Sequence, residues 1–110
     1  MPSVGKHPAR KVVRHKVYGT PRSAYELKVA PRKGTPRAAA QAFLRGIARE
    51  LRVGRDLKDL KFDKVIRSPL GTHVLFQQHY GGKKISGAWV KVDLDRDNRV
   101  YHFTNRRTTS

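Results

Sequence analysis

The side chains that could do chemistry are five histidines, five serines and eight acids, and the 110-residue chain has no cysteine. His73 and His79 are six residues apart on one expected strand, roughly 20 Å, so they cannot share a metal ion. No serine lies in a Gly-x-Ser-x-Gly elbow, and no His-Glu-x-x-His pair is present. The absence of cysteine excludes disulfides, iron–sulfur clusters and thiolate zinc sites. We therefore predict no enzyme activity, no metal site and no cofactor.

Three acids alternate through one expected turn. Asp93, Asp95 and Asp97 have the spacing that opens an EF-hand calcium loop. That loop also needs Gly at its sixth position and Glu at its twelfth, where this chain has Asn98 and Thr104. The pattern favours acids that limit edge pairing and accept backbone N–H groups within the turn.

The chain is strongly basic, with 25 Lys and Arg against 8 acids and a net charge of +17. Residues 1–34 hold nine basic residues and one acid, and residues 35–110 hold sixteen and seven, so the excess is spread along the chain. Such a charge indicates an acidic partner (nucleic acid, anionic lipid or an acidic protein) unless it is only a solvated surface. No apolar run is long enough to span a membrane or to form a signal peptide, so we expect neither.

The first 34 residues are interrupted repeatedly by Pro and Gly. Tyr25, Leu27 and Val29 alternate with Glu26 and Lys28, which predicts a strand or extended segment over residues 24–29. The rest of this region offers little to bury. We predict a basic, partly flexible arm over residues 1–34, mostly flexible over 1–22, and a domain over residues 35–110.

A helix is predicted over residues 36–52, ending near Gly54. Thr35 is a suitable N-cap, and Pro36 suits the first helical position because no N–H is needed there. Apolar residues recur every three or four positions and form one stripe: Ala39, Ala40, Phe43, Leu44, Ile47, Ala48 and Leu51. A basic amphipathic helix can also lie on a membrane surface or on nucleic acid. The favoured interpretation is packing against a sheet.

Four strands are predicted after the helix, over residues 61–68, 72–80, 84–94 and 99–104. Gly81-Gly82 suits a tight hairpin, and Gly87 suggests a bulge. The fold class is therefore α+β, with one N-terminal amphipathic helix packed on an antiparallel β-meander of three to four strands. We expect the apolar stripe of the helix to cover Val74, Phe76, Val90 and Val92.

Leu75 and Trp89 are expected on the sheet face opposite the helix. Counting back from the hairpin, with one bulge at Gly87, places them beside or diagonal to each other. Four polar residues should surround this apolar pair: His73, Gln77, His79 and Lys91. We predict that these six residues form a partner-binding patch for another domain or a second copy of the chain. The alternative is that the Tyr25–Val29 segment folds over the patch and buries it.

The strand region resembles a known family. The run from Gly71 to Val100 is similar to the fungalysin/thermolysin propeptide (FTP) domain, which shows a Gly-Thr-His-Val-x-Phe-Gln-Gln-x-Tyr core and an Asp-x-Asp-Gly turn. The matching positions are Gly71, Thr72, His73, Val74, Phe76, Gln77, Gln78, Tyr80, Gly82, Ile85, Gly87, Asp95, Asp97 and Val100. The resemblance covers about residues 36–104. Ala88, Trp89 and Asn98 depart from the family pattern.

The resemblance implies a non-catalytic propeptide domain that assists the folding of a secreted zinc metalloprotease and inhibits it. The implied partners are the metalloprotease catalytic domain or a PepSY domain, and self-association is also possible. A basic propeptide would suit an acidic protease domain. The alternative is a small basic nucleic-acid-binding protein of the ribosomal type, for which no specific reading module is visible in the sequence.

Overall fold

The computed structural model describes residues 2–107. Within these residues it contains eight strands and two helices. In chain order they are β1 Ser3–Val4, β2 His7–Pro8, β3 Lys11–Arg14, β4 Pro21–Tyr25, α1 Pro36–Gly46, α2 Ala48–Leu51, β5 Leu60–Ser68, β6 Gly71–Tyr80, β7 Lys83–Leu94 and β8 Val100–Asn105.

Six strands form one antiparallel sheet in the order β3-β4-β8-β7-β6-β5, and β1 pairs with β2. Strands β5 to β8 are the predicted meander, and their bounds lie within one residue of the expected ones. The α+β class is confirmed. The expected count of three to four strands is wrong for the sheet as a whole, because β3 and β4 extend it beside β8.

The additional strands come from the segment that we predicted to be a mostly flexible arm. Tyr25 pairs with His102 and Ala24 with Phe103, so this segment completes the edge that β8 would otherwise leave open. Strand β4 ends at Tyr25, earlier than the alternation suggested, because Glu26 adopts a positive φ of 50°. The division of the chain at residue 34 stays a prediction.

The helix begins as predicted. The Thr35 hydroxyl accepts a hydrogen bond from the Ala38 N–H at 3.1 Å, and Pro36 occupies the first turn. The single helix expected over residues 36–52 is divided at Ile47, whose φ of −114° and ψ of 12° are not helical. Gly46 precedes this break, and glycine is a poor helix former. The second helix ends before Arg52, whose φ of 59° is left-handed.

The apolar core lies between the helices and one sheet face, which we term the inner face. The predicted stripe residues are buried on the helix side. On the sheet side the expected residues Val74, Phe76, Val90 and Val92 are at most 1% exposed. The Phe43 ring also meets the edge of Phe103 with ring centroids 5.7 Å apart. The predicted packing of helix on sheet is therefore confirmed.

Two turns fix the register of the meander. Gly81 and Gly82 have φ of 58° and 79°, as a two-residue hairpin requires. In the next turn the Asp95 carboxylate accepts hydrogen bonds from the N–H groups of Asp97 and Arg99, each at 2.9 Å. Asn98 supplies the left-handed residue there, with φ of 58°. These turns decide which residues of β6, β7 and β8 lie opposite each other.

Candidate functional site

The outer face is the surface of the six-stranded sheet opposite the helices. Alternate residues of each strand point to this side, and cross-strand pairing places them in two rows. One row is Ile66, His73, Asp93, His102 and Tyr25, and the next is Lys64, Leu75, Lys91, Thr104 and Ser23. Trp89 and Gln77 pair with each other beyond the second row.

Leu75 and Trp89 lie on the outer face, as predicted from the strand pattern. Trp89 is opposite Gln77, and Leu75 is opposite Lys91, which makes Leu75 and Trp89 diagonal neighbours. Both side chains are half-buried. The alternative of a covering segment is wrong, because Leu27 is buried in the core and donates its N–H to the Tyr101 carbonyl. Tyr25 instead lies on the outer face and is 41% exposed.

Two of the predicted rim residues are engaged within the chain. The Gln77 amide donates to the carbonyls of Ile85 at 2.6 Å and Ala88 at 2.8 Å, across the irregular pairing at Gly87. His79 lies beyond that bulge, opposite Lys84, with Nδ1 at 3.2 Å from the Gln77 carbonyl. Gln77 thus holds the bulge that positions Trp89, and His79 is displaced from the patch centre.

His73 belongs to a polar cluster at the centre of the outer face. Its Nδ1 is 2.5 Å from Oδ1 of Asp93, and Nδ1 of His102 is 2.6 Å from Oδ2 of the same carboxylate. The Asp93 side chain is only 4% exposed. The Ser68 hydroxyl lies 2.7 Å from Nε2 of His73, and the Tyr25 ring packs on His102 at 4.8 Å. We term these five side chains the Asp93 cluster.

The Asp93 cluster keeps its carboxylate ionised. Burial alone would raise the pKa of Asp93, but hydrogen bonds from His102 and His73, together with the positive charge of Lys91, lower that pKa below its ordinary value. The Lys91 ammonium is 3.9 Å from Oδ1. A buried carboxylate with both oxygens hydrogen-bonded is stable in this position, whereas an unpartnered one would be costly.

Ser68, His73 and Asp93 are hydrogen-bonded in sequence, in the same order as the side chains of a Ser-His-Asp triad. The Ser68 hydroxyl also accepts a hydrogen bond from the Leu70 N–H at 3.2 Å, within the turn that joins β5 to β6. These hydrogen bonds therefore connect the β5–β6 turn to Asp93 at the centre of the sheet. Within residues 2–107, no group of three or more His, Cys, Asp and Glu side chains is placed to hold a metal ion.

Sequence reasoning missed Ser68, Asp93 and His102 as members of this cluster, and Ile66 and Tyr25 on the same face. Part of the Asp93 cluster could have been predicted from the strand register. Counting back across the Asp95–Asn98 turn brings His102 close to Asp93, and the Gly81-Gly82 hairpin brings His73 to the same carboxylate. Tyr25 could not be found in this way, because its strand joins the sheet from the opposite end of the sequence.

A family model for the fungalysin/thermolysin propeptide motif matches residues 58–106. Over this range the chain is similar to the FTP motif. No match was found among curated proteins or among solved structures. The FTP motif spans β5 to β8 and so contains the Asp93 cluster except Tyr25, as well as Leu75 and Trp89. The helices and β1 to β4 lie outside the matched range.

The FTP motif is non-catalytic and implies a propeptide of a fungalysin/thermolysin-type protease, associated with a metalloprotease catalytic domain. The proteases of this family are typically secreted. Among the residues that the structure describes, no helix combines the length and apolar character needed to cross a membrane.

Proposed function

We propose that this chain acts as a propeptide domain that assists the folding of a secreted zinc metalloprotease and inhibits it. The observation that carries the proposal is the FTP motif over residues 58–106. Its outer face combines apolar side chains, half-buried Trp89 and Leu75 and exposed Ile66, with basic side chains such as Lys91. Aromatic and apolar groups inside a polar rim are the usual composition of a binding hot spot.

The outer face is the proposed docking surface for the protease catalytic domain. The sheet carries its core on the inner face, so the outer face can be covered without disturbing the fold. The Asp93 cluster gives this surface a fixed shape, because the carboxylate links β6, β7 and β8 through hydrogen-bonded side chains. A rigid surface loses little conformational entropy on binding.

The test is refolding of a denatured thermolysin-type catalytic domain with and without this chain, followed by titration of the chain against the active enzyme. A higher refolding yield and saturable inhibition are expected. Trp89→Ala should weaken both by about tenfold or more, as hot-spot aromatics do. Tyr80→Ala is the matched control, since Tyr80 is 72% exposed at the end of β6 and lies away from the outer face. No effect of the wild-type chain on either measurement would contradict the proposal.

A second candidate function is nucleic-acid binding, which the net charge of +17 favours. A gel-shift titration at about 150 mM salt separates the two, because binding by charge alone weakens steeply with salt. Retarded nucleic acid at this salt, without any effect on the protease, would favour this second function.

Two other partners are a PepSY domain and a second copy of the chain. Binding of either would increase the hydrodynamic size of the chain in solution.

A further inference from the structure

A basic groove lies at one end of the sheet, where β3, β4 and β8 end. Two adjoining cavities of about 540 and 460 Å³ form it. They share His15, Arg22 and Arg106, and the other charged lining residues are Arg14, Lys16 and Arg107. No acidic residue of the described chain lines either cavity. The groove lies largely outside the FTP motif, because only Arg106 of the shared residues falls within the matched range.

Three cations of the basic groove lack an ion pair within residues 2–107, unlike Arg14. Arg14 binds Glu50 at 3.1 Å at the groove margin. Over residues 2–107, no hydrogen bond or ion pair engages the side chains of Lys16, Arg22 or Arg106. Like charges held close without a counter-charge repel each other, so a bound anion would stabilise this end of the sheet.

Arg107 is a further cation of the groove and is partly held by the helix side of the fold. One guanidinium nitrogen of Arg107 donates to the Leu51 carbonyl, but its Nε is buried and has no partner within the described part of the chain. A buried donor without an acceptor is costly. Arg107 also lines the second cavity and adds a positive charge to it.

The lining of the groove favours carboxylates on a peptide over a single-stranded nucleic acid. Guanidinium groups bind carboxylate and phosphate through paired N–H donors. Single-stranded nucleic acid also needs open aromatic faces on which its bases stack. Here the Tyr18 ring packs against His15 with centroids 4.9 Å apart, so the groove presents no row of open rings among its described residues.

We propose that the basic groove binds an acidic, extended segment of the protease partner, with carboxylates placed over both cavities between Arg22 and Arg106. This proposal rests on the proposed function and adds a basic contact to it at the end of the sheet, next to Trp89, whose carbonyl accepts the Arg106 N–H at 2.8 Å. The groove contact should depend on salt and should mainly raise the rate of association.

The test compares two double variants with the same change in charge. Arg22→Glu with Arg106→Glu reverses the groove, and Arg55→Glu with Arg67→Glu reverses two exposed arginines elsewhere. At about 150 mM salt the groove pair should weaken protease inhibition about tenfold more than the control pair does. Equal weakening by both pairs would overturn the proposal. If the groove pair melts at a lower temperature than the control pair, the inhibition measurement is repeated with the single variant Lys16→Glu in its place.

A direct measurement keeps the groove testable if the wild-type chain proves not to inhibit the protease. Fluorescein-labelled octaglutamate should bind the wild type and the control pair, and bind the groove pair about tenfold more weakly. That result supports the groove even where the inhibition assay has contradicted the proposed function. Octaglutamate binding that the groove pair leaves unchanged would overturn the proposal. So would tighter, groove-dependent binding of an oligothymidylate of the same length.

Discussion

The inner and outer faces of the sheet are stabilised by different interactions. The inner face consists of apolar side chains beneath the helices, and Phe76 and Phe103 are at most 1% exposed. The outer face buries a carboxylate, Asp93, between two imidazoles. Apolar packing tolerates changes of identity if volume is kept, whereas a buried charge depends on every partner. Damage to the inner face should therefore scale with lost volume, and damage to the outer face with lost charge.

Removal of residues 1–22 should have the largest effect, because this segment contributes to the core and to the sheet. Val4 and Ala9 are fully buried, and the remainder of β4 would lose its partner β3. The flexible arm predicted from the sequence would imply that the shortened chain stays folded. The structure leads to the opposite expectation, a lost or strongly lowered cooperative thermal transition. Melts of the full and shortened chains decide between them, and an unchanged transition would restore the flexible-arm prediction.

Phe76→Ala tests the inner face. Phe76 is 1% exposed and meets Phe62 edge-on at 6.3 Å, so its removal leaves a cavity. The expected loss in the free energy of unfolding is about 3–5 kcal/mol. Denaturant unfolding measures it, with Tyr80→Ala as a surface control that should stay within about 0.5 kcal/mol of wild type. A loss below about 1 kcal/mol for Phe76→Ala would mean that the helix does not cover this face.

Asp93→Asn tests the outer face. The amide would bring an N–H donor towards imidazole nitrogens that already donate, so we expect a loss of about 1–3 kcal/mol. The pKa of Asp93 in the fold lies below its ordinary value of 3.8. Its contribution to stability is therefore present above that value and is lost as the pH falls through the lower, folded pKa. Unfolding between neutral and acid pH should show this loss in the wild type and a smaller one in Asp93→Asn.

Trp89→Ala should have the smallest effect on stability, about 1 kcal/mol, because its side chain is half-buried on the outer face. Its effect on partner binding should be larger than its effect on unfolding. Thermal melts and inhibition titrations on the same sample compare the two. Unfolding of the variant with unchanged inhibition would place Trp89 in the core.

The parts of the fold that could be predicted are those whose signals are local. The cap at Thr35, the alternation along β6 and the Gly81-Gly82 turn each act within a few residues, and each was predicted correctly. The Asp93 cluster depends on two registers at once, so finding it requires counting across both turns together. Strand β4 contains Pro and Ser, which are uncommon in strands. It forms because its backbone pairs with the edge of β8.

The pairing of β4 with β8 has a consequence for the order in which the chain is made. Ser23 is synthesised well before Thr104, its partner in the neighbouring strand. Until then β3 and β4 are a hairpin without a sheet, and a hairpin alone is at best marginally stable in water. The meander can assemble first because its contacts are close in sequence. Strand β8 would then pair with β4 only once the meander has formed, so β3 and β4 join the sheet after the strands that follow them in sequence.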